Sequence, residues 1–394
     1  MQRWENEMQQ SDQGAVVLSE ESRPRGVKEF FRLFRVPIIG ALVLLLILVV
    51  GLVIPMPYVI EKPGPTYDVL ARYQDTPMIE IESDDAVEST GGELRMVTVS
   101  SYGGPGSHVS LAQLVAAWLS ADATVIKERD VYPQDVTREQ LREWSMQQMT
   151  ASQSTAAAAA LENLGYDVPA VVTIHGAVSG SNAEGLVEDG DILVAITTPD
   201  GVRHEVNRAS VPFALARDLA PGSEVTMEVT RNGEERSISF ETYKPDRTTL
   251  DFVGSKFGIY LTADVKLPFP VTIHLEDVGG PSAGTIFALG IIDHLTGGNS
   301  TGGAIIAGTG AIGYNGEVQP IGGIKQKMYG ATRDGAQWFL APRSNCDEVV
   351  GNVPDGLNVW PVSTLDEARS ALESIRTGST VNHPTCEAAL ADNE

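Results

Sequence analysis

The chain has 394 residues, of which 42% are hydrophobic, 20% charged and 6% aromatic, a composition that excludes global disorder and collagen-like or low-complexity matter and makes about two or three domains. With 28 Lys+Arg against 52 Asp+Glu the net charge is −24, so no basic stripe exists from which a phosphate-backbone binder could draw affinity, and nucleic acid is not an expected partner. Two cysteines, Cys346 and Cys386, are too few for a disulfide scaffold and lack the CxxC spacing of zinc or redox sites.

In chain order, the first feature is Ile38 to Ile54, an uncharged apolar run that Pro37, Pro55 and Met56 extend to about the length of a bilayer core. It predicts a transmembrane helix over 37–57. Arg23, Arg25, Lys28, Arg32 and Arg35 precede it against the single acid Glu29, which predicts a cytoplasmic tail over 1–36 and everything after residue 57 outside the cytoplasm. In such an oxidising space Cys346 and Cys386 can pair and tie the C-terminal tail, 377–394, to the body; two buried thiols are the alternative.

Residues 58–165 read as a membrane-proximal extracytoplasmic segment. Glu61 to Val69 is a Pro/Gly-rich exit, short alternating runs at Met78 to Ile81 and Leu94 to Val99 suggest strands, and Leu111 to Leu119 suggests an amphipathic helix. Glu139 to Leu164, with alanines from Ala156 to Ala160, predicts a strong helix closed by Gly165 and leading into a second unit.

That unit, 166–245, holds β runs at Val171 to Ile174, Ile192 to Ile196, Val225 to Val229 and Ser237 to Phe240, with Asn232-Gly233 marking a hairpin. Between the first two stands GSNAEGLVEDGD, Gly180 to Asp191. These residues resemble the PDZ family, which implies a groove where a peptide C-terminus adds as a strand and its carboxylate meets backbone N–H groups. Leu164-Gly165-Tyr166 partly matches that family's carboxylate loop, or else closes the preceding helix.

The chemistry-bearing residues lie in the last third. Gly280-Pro281-Ser282-Ala283-Gly284 matches G-x-S-x-G, follows the alternating run Val271 to Leu275 and opens an apolar helix to Leu295, so the Ser282 hydroxyl is predicted among unpaired backbone N–H groups. A serine capping a buried helix would carry the same pattern. A nucleophilic hydroxyl needs a base. His294 lies twelve residues along the same helix, about 18 Å away, and His383 falls in a polar tail. The remaining choice is a lysine. On a helical projection Ile324, Lys327, Met328 and Ala331 share one face while Lys325 and Gln326 turn away, which sets Lys327 against the core, where burial lowers a lysine's pKa; a lysine snorkelling to water is the bland reading.

Together these residues resemble the proteolytic domain of the Lon family of serine proteases over about 246–376. GGPSAG (Gly279 to Gly284) is similar to its nucleophile loop, Gly308 to Ile312 to its strand turn, and Gly316 to Lys327 to its lysine motif. The resemblance implies Ser282 as nucleophile, Lys327 as base, Thr309 as the residue orienting the lysine, and a loop of Gly280, Pro281 and Ser282 supplying oxyanion donors. It implies no metal and no cofactor, an oligomeric ring, and an α/β (α+β) proteolytic fold preceded by a PDZ-like β-rich domain and one N-terminal transmembrane helix. Two departures stand out: Gly279 replaces an acidic residue of cytosolic relatives, and the 394 residues contain no G-x-x-x-x-G-K-[ST] for an ATPase. The expected protein resembles membrane-anchored, PDZ-containing Lon-like proteases, an ATP-independent serine endopeptidase acting on extended segments of exported or membrane proteins. A silent PDZ adaptor for protein C-termini and a Ser/Lys hydrolase of small esters are the other functions the residues admit.

Overall fold

The computed structural model describes residues 27–73, 75–133, 136–245, 252–381 and 383–391, with backbone alone for 27–36, 38, 52 and 53. Contacts divide the chain into two units, the first being residues up to Pro55 together with Ser110–Ala112. The first unit is dominated by helix α1 (Val27–Val53), which contains Pro37. Here the expected anchor is corrected: among the described residues no helix is long and apolar enough to cross a membrane. With the span goes the basis for the expected single-pass arrangement, its cytoplasmic tail and its extracytoplasmic domains. The tail up to residue 26 lies outside the described residues.

The second unit is built on a six-stranded mixed sheet assembled from distant parts of the chain. Its strands are β1 (Tyr58–Asp68), β2 (Glu93–Tyr102), β3 (Thr124–Lys127), β4 (Ile305–Gly308), β5 (Trp338–Pro342) and β6 (Asn358–Val362), in the order β6-β5-β4-β2-β1-β3. The first four in that order run parallel, while β1 is antiparallel to both β2 and β3. Residues 58–165, expected as a separate segment, therefore contribute half of this sheet. Pattern alone could not reveal this, because a strand's partners leave no mark in its own periodicity.

Alternation distributes side chains to two cores. Leu94, Met96, Ile306 and Leu340 face one, with α2 (Arg138–Asn163), α3 (Gly284–Leu295) and α4 (Leu365–Thr377) packed over them. Val97, Ala307, Phe339 and Ala341 face the other, covered by α5 (Ile324–Arg333) through Ile324, Met328 and Ala331. The result is a three-layer α/β arrangement. Helix α2 starts with a capping box between Thr137 and Gln140, as a Thr-x-x-Gln start favours. Its alanines, expected to lead into the next unit, are buried in the cores instead, where small side chains let α2 approach α3 closely.

Residues 166–265 form an insertion within this scaffold. Strands β7 (Ala170–Ala177), β8 (Asp189–Thr197), β9 (Glu224–Arg231), β10 (Glu234–Glu241) and β11 (Ile259–Val265) make an antiparallel sheet in the order β10-β9-β8-β7-β11, with Arg203–Glu205 added beside β8. Asn232 and Gly233 have φ of 52° and 82°, the left-handed pair that a two-residue hairpin needs. Strand β11 lies beyond the expected boundary at 245, so the β-rich unit closes with a strand that the sequence division had given to the next domain. Leu164-Gly165 ends α2: Gly165 has φ 87° and the Tyr166 N–H returns to the Leu161 carbonyl, so this turn is a helix cap and not a carboxylate loop.

Candidate active site

The loop Asp277 to Ala283 carries Ser282 to the start of α3, where the Ser282 carbonyl accepts from the Gly310 N–H at 2.8 Å and from Thr309 Oγ1 at 3.0 Å. Thr309 ends the β4 turn, and its hydroxyl in turn accepts from Lys327 Nζ at 3.1 Å. One threonine hydroxyl thus donates to the serine main chain and accepts from the lysine, using both of its capacities. The three residues expected to work together are brought into one chain of hydrogen bonds. Lys327 is 3% exposed and Thr309 1%. Burial brings the Lys327 amine down to about 7, with the Glu61 carboxylate pulling the other way.

Glu61, on β1, lines the same cleft of about 440 Å³ as Ser282 and Lys327. Burial raises its pKa and the neighbouring Lys327 partly offsets the shift. Sequence reading missed Glu61, because it sits in a Pro/Gly-rich stretch more than 200 residues from the lysine and only the pairing of β1 into the sheet brings it near. Lys325 is half-buried, and Gln326, expected to face solvent, is 1% exposed and donates to Thr124 Oγ1 at 2.5 Å. Neither histidine serves as a base: His294 Nδ1 bonds the Val87 carbonyl, and the His383 ring packs against Trp338 and Trp360.

The back of the nucleophile loop rests on α2. The Ser145 carbonyl accepts from the Gly280 N–H at 2.8 Å, and Ser152 Oγ donates to the Pro281 carbonyl at 3.0 Å. This changes the expected oxyanion loop. Gly280's N–H is engaged and Pro281 has none, which leaves Ser282 as the donor of the three. Ser145 and Ser152 stand seven residues apart on one helical face, the single sequence signal that could have pointed to them. A Cβ at Gly279 would run into Ser145 Oγ and lie 2.8 Å from Ser145 Cβ, so an acidic side chain at 279 has no room against this helix. Asp277 adopts φ 57°, unusual for a non-glycine residue, and bonds Arg142 at 2.8 Å.

Cys346 and Cys386 are joined as a disulfide with a Cα–Cα distance of 4.9 Å, fastening the C-terminal helix Cys386–Ala391 to the body. Among the described residues no group of three or more His, Cys, Asp or Glu comes together as a metal-binding set.

A buried amine, a threonine relay and a serine at a glycine turn are the fittings of a serine-type peptidase domain. Comparison with known proteins agrees at that level and is more specific: residues 242–373 match the Lon protease (S16) C-terminal proteolytic domain. The chain is 32% identical to the Lon protease of Vibrio parahaemolyticus over 195 residues, which is 45% of this chain and 24% of that protein. It is 32% identical over 133 residues to the Lon protease of Buchnera aphidicola from Acyrthosiphon pisum, covering 33% and 17%, and 30% over 177 residues to that of Escherichia coli K12, covering 41% and 22%. The matched part spans about a quarter or less of these relatives. Residues 242–373 are thus similar to a Lon proteolytic domain, and the class this similarity supports is a serine-type peptidase.

Proposed function

We propose that this domain is an ATP-independent endopeptidase with Ser282 as nucleophile and Lys327 as general base. The observation that carries the reading is the lysine: an amine 3% exposed, brought to about 7 and held by the threonine that also grips the serine's own carbonyl. Neutral Lys327 takes the hydroxyl proton as Ser282 Oγ bonds to a peptide carbonyl carbon, and the Ser282 N–H meets the developing oxyanion. The ammonium then returns the proton to the departing amine. Water, deprotonated by the same lysine, releases the acyl group and restores both side chains. No nucleotide-binding loop occurs in the 394 residues, so substrates are segments already extended.

In the same reading the inserted sheet acts as a PDZ-type peptide receiver. Strand β11 is an edge, and a cavity of about 160 Å³ lies between it and the helix Val211–Asp218, lined by Phe213, Phe257, Gly258 and Leu261. An open edge beside an apolar slot suits a peptide added as a further strand. Lys256 to Ile259, not Leu164 to Tyr166, is then the carboxylate loop.

The test is cleavage of a peptide library by the full chain without ATP, comparing wild type with Ser282→Ala, Lys327→Ala and Lys325→Ala. The first two lose activity by several orders of magnitude and the third keeps it. Cleavage untouched by Ser282→Ala ends the mechanism, and hydrolysis of esters without peptides ends the endopeptidase reading.

A further inference from the structure

Strand β2 outlasts one of its neighbours. On one edge it pairs with β4 over 93–96, whereas on the other β1 accompanies it as far as Tyr102. Over 97–102 the edge on the β4 side has no strand partner among the described residues. An unpaired edge presents a row of N–H and C=O groups to any chain laid along it. Thr98, Val99 and Ser100 from this stretch line the catalytic cleft, and Ser101 and Gly103 line a second cavity of about 570 Å³. Asp277 and Gly279 border both, so the two cavities make one continuous groove that starts at Ser282 and Lys327 and follows β2.

The far end of this groove has an apolar wall, Leu141, Trp144 and Met146 from the first turns of α2, beside Tyr132 and the charged Arg138 and Arg142. Trp144 leaves 58% of its surface exposed, although the residue after it is tied to the nucleophile loop through the Ser145 carbonyl. A large aromatic held open beside a catalytic cleft is a surface that gains most when an apolar side chain covers it.

We infer that the substrate is an extended polypeptide that adds as a strand to the open edge of β2, and that a bulky apolar side chain three or four residues from the scissile bond enters the cavity walled by Leu141, Trp144 and Met146. The spacing follows from strand geometry. With the scissile bond opposite Val99 and Ser100, Gly103 stands three or four residues further on, about 10–13 Å at roughly 3.3 Å per residue. Main-chain pairing supplies affinity that ignores sequence, and the cavity supplies the choice. The inference rests on Ser282 as the nucleophile and adds the substrate's shape and one position of preference.

Peptides of ten residues sharing one cleavable bond, with Phe or Ser scanned two to five positions from it on each side, test this in wild type, Trp144→Ala and Trp144→Phe protein. Wild type prefers Phe about tenfold in kcat/KM at the third or fourth position on one side, the order of discrimination a hydrophobic pocket provides. The preference collapses in Trp144→Ala and returns in Trp144→Phe. Cleavage without any positional preference, or a preference that survives Trp144→Ala, overturns the subsite and leaves the nucleophile reading standing. Fluorescence anisotropy of the same peptides on Ser282→Ala protein keeps the two apart: Phe-dependent binding that disappears when Trp144→Ala is added supports the groove even if wild type cuts nothing, a result that would count against the nucleophile alone.

Discussion

A lysine works as a base only in its neutral form, and in this protein that form depends on where Lys327 sits and on what Glu61 does beside it. Burial favours the neutral amine and the Glu61 carboxylate favours the ammonium, giving a value of about 7. On the proposed mechanism the base is protonated below that pH, so kcat/KM is expected to rise with pH through a limb near 7. Glu61→Gln removes the charge that raises the lysine's pKa. The limb therefore moves to lower pH in the variant, which a pH–rate profile of the two proteins measures; a limb that stays in place or moves up would show that Glu61 does not act on Lys327. The helical projection already singled out Lys327 over Lys325, because burial of one helix face is a local property. Glu61 was invisible, since nothing in its own neighbourhood refers to the lysine.

At the scale of elements, the site is held by turns and backs that leave no slack. Gly310 has φ 147°, and a Cβ on it would lie 2.6 Å from Thr285 Oγ1 and 2.8 Å from Val318 Cγ1. Both neighbours belong to packed elements, so Gly310→Ala must shift the turn that carries Thr309. A displacement of that kind costs about 100-fold in kcat while the chain still folds, with a lower melting temperature. Turnover measured on the folded fraction checks it, and full kcat at a reduced melting temperature would make Gly310 a stability residue only. Helix α2 illustrates what a local pattern can and cannot say. Its extent and its Gly165 end were legible from alanines and a cap, yet the use of Ser145 and Ser152 to brace the nucleophile loop was not, because a helix does not announce which of its faces will meet a loop more than a hundred residues later.

For the molecule as a whole, the sheet order joins strands from residues 58–127 to strands from 305–362, with a second sheet inserted between them. Closure of such long loops is entropically costly, and the Cys346–Cys386 bond lowers that cost for the last part of the chain. It spans 40 residues, for which the loop-entropy model gives about 4 kcal/mol. Cys386→Ser is expected to lower the melting temperature, and a reductant should lower that of the wild type but not of the variant. Equal sensitivity of both proteins to reductant would remove the bond's role in holding the C-terminal helix.

Sequence by itself determined placement: Ser282 in its glycine turn and Lys327 on the buried face of its helix both depend on neighbours within a dozen positions. Tertiary structure alone decided that residues 58–127 belong to the catalytic sheet, that Glu61 faces Lys327, that the Gly280 N–H is taken by Ser145, and that the apolar run near the N-terminus forms no described helix long and apolar enough for a membrane. The physical reason is common to the first three. Each depends on which distant element a residue meets, and that is set by packing and strand pairing between segments whose own patterns carry no record of their partners.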